Sequence, residues 1–143
     1  MKNVAQILDR KGKNVISVEP DCHVLDALKI MAEKNIGSIA VIENGEYRGL
    51  MTERDYARKI ILQGKTSSET KVGDIMSTDL PKINPQDNID HCMVLMWDAN
   101  IRYLPVFEHN QLCGIISIND LVKETILDQR NTIEQLHNYI RST

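Results

Sequence analysis

Two short stretches of this chain carry residue types that could hold a ligand: Thr52-Glu53-Arg54-Asp55 and Ser117-Ile118-Asn119-Asp120. In each, a hydroxyl stands three residues before a carboxylate, and a polar multi-donor side chain, Arg54 or Asn119, precedes the acid. The spacing is that of a capping box, whose plain consequence is to satisfy the N–H groups that a helix start leaves without partners. The same corner has a second use. A helix N-terminus offers N–H groups and the positive end of a dipole to a phosphate. The hydroxyl can donate one hydrogen bond more, and the carboxylate can accept from both hydroxyls of a ribose diol. Such a corner reads a nucleotide without performing chemistry on it.

Other reactive side chains form no comparable pattern. His23, His91, His109 and His137 lack metal-ligand spacing, so no metal is expected. His91 and Cys92 are neighbours that point apart on a helix. Met93, Met96 and Trp97 read as a helix core stripe. Cys22, Cys92 and Cys113 are odd in number without C-x-x-C spacing, which fits small buried thiols. No Walker or Rossmann glycine loop is present, and no acid/base or nucleophile constellation points to an enzyme.

The elements that must position the two corners come from an internal duplication. Gly49-Leu50-Met51-Thr52-Glu53-Arg54-Asp55 returns as Gly114-Ile115-Ile116-Ser117-Ile118-Asn119-Asp120, and Pro20, Met31, Asn35-Ile36 and Val41 meet Pro85, Met96, Asn100-Ile101 and Val106 in the same register. Each copy reads as a short strand (15–18, 80–83), a helix, two strands (38–42 and 48–51; 103–107 and 112–117) and a closing helix (54–62, 120–128). The first helix presents Val24, Leu28, Met31 and Ala32, and its counterpart Ile89, Met93, Met96 and Trp97, at the spacing of one buried stripe. Asn44-Gly45 marks a hairpin. The strands are continuous apolar runs, so both sheet faces should be covered. The fold class expected is α/β (α+β), two tandem βαββα repeats packed about a pseudo-twofold axis with clefts between them. Residues 1–65 hold the first repeat, 66–130 the second and 131–143 a helical tail. The polar stretch 63–71 reads as a linker. Val4-Ala5-Gln6-Ile7-Leu8 resembles Val72-Gly73-Asp74-Ile75-Met76 with a three-residue insertion near Lys11-Gly12-Lys13. Asn131-Thr132-Ile133-Glu134 reads as the capped start of a short amphipathic helix with Ile133, Leu136 and Ile140 on one face.

These features together resemble a cystathionine β-synthase (CBS) domain pair, or Bateman module, in its small free-standing form. The resemblance runs from about Val4 to Gln129 and is most specific over Gly49 to Lys59 and Ile101 to Val106. It implies two quasi-equivalent adenine-nucleotide sites. In one, Asp120 holds the ribose beside Ser117 and Asn119, Ile16, Ile36 and Gly37 border the adenine, and Arg102 and Tyr103 face the phosphates. In the other, Asp55, Thr52 and Arg54 act on ribose and phosphate, Pro81, Ile101 and Arg102 lie near the base, and Lys59 is a further phosphate candidate. Many relatives carry His where Tyr103 stands, and Gly37-Ser38 replaces Arg102-Tyr103, so the two sites should differ. The ligands implied are AMP, ADP, ATP or NAD(H), with S-adenosylmethionine ranked after them. The resemblance also implies a homodimer whose shape is read by a regulated protein that the sequence does not name.

Composition sets the remaining bounds. A net charge of −3 without a dense basic run argues against nucleic acid as partner. No apolar run reaches the roughly 18–20 residues needed to cross a bilayer, and the first ten residues do not read as a signal peptide. The cytoplasm is the compartment expected, with no membrane partner. The competing function is a constitutive dimerisation or docking module with vestigial clefts, in which Asp55 and Asp120 only cap helices.

Overall fold

The computed structural model describes residues 2–12 and 14–142, with side chains through Ile140. Lys13, one of the residues of the expected insertion, lies outside the described residues. The chain forms two compact units, one built from 1–13 and 81–143, the other from 14–80. Each spatial unit therefore takes the opening segment of one sequence repeat and the remainder of the other.

The unit of residues 14–80 contains β1 (Ser17–Val18), α2 (Val24–Lys34), β2 (Ser38–Glu43), β3 (Glu46–Thr52) and α3 (Glu53–Tyr56). β1 runs parallel to β2, and β2 antiparallel to β3. The other unit contains α1 (Val4–Lys11), α4 (Ile89–Ala99), β4 (Tyr103–Glu108), β5 (Gln111–Ser117) and α5 (Ile118–Ser142), with β4 and β5 antiparallel. The mixed α/β class is as expected. The strand expected over 80–83 is reduced to one parallel bridge, Ile83 to Val106. Pro81 and Pro85 flank that bridge and lack the N–H groups that would extend it.

Sequence and local geometry agree closely at the turns. Asn44 (φ 52°) and Gly45 (φ 78°) take the paired left-handed conformation that matches the twist of a two-residue hairpin. His109 (φ 53°) and Asn110 (φ 63°) do the same without a glycine. α2 and α4 both end on a left-handed asparagine, Asn35 and Asn100.

The helix stripes need correction. α2 buries Val24, Ala27 and Met31, while Ala32 is exposed. α4 buries Ile89, Cys92 and Met96, and Trp97 is 86% exposed. Steps of three and four select one side of each helix, and Trp97 falls one residue beyond it. The helix expected over 54–62 is α3 followed directly by a π-helical turn, Ala57–Ile61. The helix expected to restart at Asn131 does not do so. α5 runs unbroken from Ile118 to Ser142, since nothing at 128–131 breaks the helix and the residues there are compatible with its interior. The polar stretch 63–71 is tied down rather than loose: the carbonyls of Ser67 and Thr70 accept from the N–H groups of Leu25 and Val24 at the start of α2.

The opening segments explain the glycine of each repeated motif. A Cβ on Gly49 would sit 2.7 Å from the Ser77 carbonyl oxygen and 3.1 Å from Met76 Sδ. A Cβ on Gly114 would sit 2.5 Å from Leu8 Cδ2. Met76 and Leu8 are counterparts in the two opening segments, so in each unit such a segment packs against the strand at its glycine, against backbone at Gly49 and against a leucine side chain at Gly114. α1 is held further by Glu124 of α5, 1% exposed, which pairs with Arg10 (Nη2 to Oε1, 3.2 Å) and with Lys2 (3.5 Å).

Candidate functional site

In the unit of residues 14–80, β3 delivers Thr52 directly into α3, and the reciprocal capping box forms. Thr52 N–H donates to Asp55 Oδ2 at 3.0 Å, and Asp55 N–H donates to Thr52 Oγ1 at 3.1 Å. The carboxylate then gathers further donors. Thr52 Oγ1 lies 3.1 Å from Oδ2, and Ser77 Oγ donates at 2.9 and 3.1 Å to the two oxygens. Lys59 Nζ sits 3.0 Å from Oδ1 and 2.8 Å from the Ile75 carbonyl. Asp55 is 6% exposed. Gly37 belongs to the same corner, because its carbonyl accepts from Glu53 N–H at 3.1 Å. Ile36 beside it is half-buried, Ile16 joins the sheet through its carbonyl to Ala40 N–H (3.2 Å), and Arg54 is half-buried on α3.

The other unit repeats the plan with different partners. Ser117 N–H donates to Asp120 Oδ2 at 2.8 Å, and Asp120 N–H to Ser117 Oγ at 3.2 Å. The Arg102 carbonyl accepts from Ile118 N–H at 2.9 Å, as Gly37 does for Glu53. Tyr103 pairs with Ser117 across the β4–β5 ladder. Arg102, Tyr103, Ser117 and Asp120 thus belong to one corner; Asn119 is exposed and Ile101 half-buried. Pro81 is half-buried in this unit. The cation here is Lys11, carried in from α1: its Nζ lies 2.8 Å from Asp120 Oδ2 and 2.8 Å from the Ile115 carbonyl. Among the described residues no donor reaches Asp120 Oδ1, and the side chain is 18% exposed.

Several of these groups already have partners within the chain. The helix-start N–H groups expected to meet a phosphate are largely engaged, the first of each helix by the Gly37 or Arg102 carbonyl and the third by the capping hydroxyl. Lys59 is committed to Asp55 and the Ile75 carbonyl. Ser77 and Lys11, which complete the two corners, escaped the sequence reading. Both lie in or beside the opening segments, far along the chain from the aspartates they serve, and no motif marks them. None of the three cysteines forms a disulfide. Cys92 is buried, and burial, with Asp87 nearby, pushes its thiol up to about 11. Among the described residues no cluster of His, Cys, Asp and Glu could hold a metal ion, and no helix is long and apolar enough to cross a membrane.

Fold and site define a class: a tandem α/β repeat in which each strand-to-helix corner presents a capped aspartate beside a lysine. The sequence matches the CBS domain twice, over residues 4–62 and 72–126. The chain belongs to the CBS domain family. It is 36% identical to the CBS domain-containing protein CBSX3, mitochondrial, of Arabidopsis thaliana over 96% of this chain and 71% of that protein. A solved Burkholderia ambifaria protein with CBS domains superposes with a TM-score of 0.85 at 43% identity, covering 90% of this chain and 96% of the other. The CBS domain pair of MJ0100, solved in complex with 5′-methylthioadenosine and S-adenosyl-L-methionine, shares the fold at a TM-score of 0.77 and 23% identity, over 87% of this chain and 96% of that one.

Proposed function

We propose that this chain is a non-catalytic regulatory module that binds an adenosine-type ligand, AMP, ADP, ATP or NAD(H), and that the Asp120 corner is where the ribose docks. The observation that carries this is the carboxylate of Asp120, capped through Oδ2 but with Oδ1 open and partly exposed. An oxygen held at a helix start can accept from a ribose hydroxyl without dismantling the cap. Lys11 then has a second partner at hand, since a phosphate competes for its ammonium with Asp120 and the Ile115 carbonyl, and exposed Arg102 adds charge beside it. That the MJ0100 pair binds adenosine compounds supports the ligand class.

The corner at Asp55 favours the capping reading. Ser77, Lys59 and Thr52 already surround that carboxylate, and a ribose would have to displace them. We read the chain as a homodimer through the outward faces of α4 and α5, where Val94, Trp97, Val122 and Ile126 are exposed. A ligand that binds one dimer shape better shifts the population toward it, and a partner protein reads the result.

The test is calorimetric titration of nucleotide-stripped protein with AMP, ATP, NAD, NADH and S-adenosylmethionine, beside Asp120→Asn. Saturable binding that the variant loses is the expected result. Folded protein that binds none of the five leaves the aspartates as helix caps and refutes the ligand reading. Turnover of a bound nucleotide would refute the non-catalytic one.

A further inference from the structure

From Val122 onward, α5 carries a seam that its own unit does not cover. Val122, Ile126, Gln129, Ile133, Leu136 and Ile140 follow one another in alternating steps of four and three. That is the heptad spacing of a two-helix interface. All six are exposed, and every residue from 128 to 140 is exposed as well. The buried side of α5 near its start is a different one, set by Leu121 and Glu124. The helix is unbroken to Ser142, and the exposure of residues 128–140 shows that the unit carrying the tail does not cover it. An isolated helix of about 12–15 residues is marginal in water, so this stretch calls for a partner.

We infer that the seam of α5 is an interface with a second copy of this chain, the two tails forming a parallel, in-register coiled coil. It deepens the homodimer proposed above and rests on it. The occupant follows from the residues. Gln129 is the one polar member of the seam. In register it meets Gln129 of the second copy, and the two amides satisfy each other; against an apolar helix, or in an antiparallel pair against Ile133, it would be buried without a partner. The flanks choose the direction. Lys123, Arg130 and His137 line one side of the seam, and Thr125, Thr132 and Tyr139 the other. Parallel pairing sets the basic flank against the neutral one. The antiparallel pairing with the same overlap sets Arg130 against Arg130 and Lys123 against His137, a like-charge contact that disfavours it. The seam also begins at Val122 and Ile126, the two α5 residues assigned above to the dimer contact, so the tail extends that proposed contact along the same helix.

The full-length chain tests this with Leu136→Cys, alone and combined with Ile133→Asp. The unsubstituted chain, with its own three thiols, sets the background, and all of these substituted positions are exposed. Mild oxidation should link the Leu136→Cys chain into a dimer well above that background, because only the parallel pairing brings the two 136 positions together. Ile133→Asp should abolish the link. A Leu136→Cys signal no greater than background in a chain that sediments as a dimer overturns the coiled coil and leaves the dimer through α4 and α5 standing. A link that survives Ile133→Asp also overturns it. A monomeric unsubstituted chain overturns both.

Discussion

Asp55 and Asp120 occupy the same place in the two repeats, yet their surroundings require different responses to removal. Asp55→Ala deletes the acceptor of the Thr52 N–H, a cap worth roughly 1 kcal/mol. It also leaves the half-buried Ser77 and Thr52 hydroxyls without their acceptor, at about 0.5–1.5 kcal/mol each. Lys59 adds little, being partly exposed and still bonded to the Ile75 carbonyl. The sum is about 2–4 kcal/mol. Asp120→Ala deletes a cap of the same kind, but its other partner is the partly exposed Lys11, so the cost stays near 1 kcal/mol. A difference of about 2 kcal/mol corresponds to roughly 4–8 °C in melting temperature for a chain of this size. Thermal melts of the two variants, followed by circular dichroism without nucleotide, measure it. Equal shifts, or a larger shift for Asp120→Ala, would refute the division into a closed and an open corner.

Further outcomes follow from the same geometry. Lys11→Met should weaken AMP binding by roughly 2–5-fold, the worth of one partly exposed ion pair, while leaving adenosine binding unchanged or tighter; an equal loss for both in calorimetry would remove Lys11 from the phosphate. Gly49→Ala should destabilise by about 1–3 kcal/mol and by more than Gly114→Ala in urea titrations, because the first meets a backbone carbonyl and the second the end of a leucine side chain. Cys92 should resist iodoacetamide in the folded protein at pH 8, with labelling rising only as the pH nears 11. The sign follows from a raised pKa, which keeps the reactive thiolate scarce below it, and labelling at pH 8 as fast as in denaturant, read by mass spectrometry, would contradict it.

The duplicated motif made the architecture legible, since Gly-x-x-[Ser/Thr]-x-x-Asp in one register twice implies two like corners. Both capping boxes, the hairpins and the asparagine helix ends are local, within four residues, and chain-local rules read them well. What escaped depended on distance. Lys11 reaches Asp120 across 109 positions, and Ser77 reaches Asp55 across 22. No periodicity encodes such pairs, and so the sequence could show two like aspartates but not that one is clamped and the other open. Trp97 failed for another reason: an apolar residue beside a buried stripe reads as core unless the surface facing it is known.

The opening segment of each repeat completes the unit formed by the rest of the other, and this constrains how the chain is made. On synthesis α1 emerges long before β5 and α5, which it must cover; the Lys11 contact to Ile115 closes a loop of 104 residues. An eight-residue helix does not persist alone, so Val4, Ile7 and Leu8 stay exposed until the second half of the chain arrives. Contacts of such separation slow folding. They also make a cut at the repeat boundary costly, since either fragment would lack the segment that seals its own glycine strand. The two repeats are then obligate companions in biogenesis. A small molecule captured at Asp120 would raise the free energy required to unravel the polypeptide as a whole, to the extent that its halves melt together.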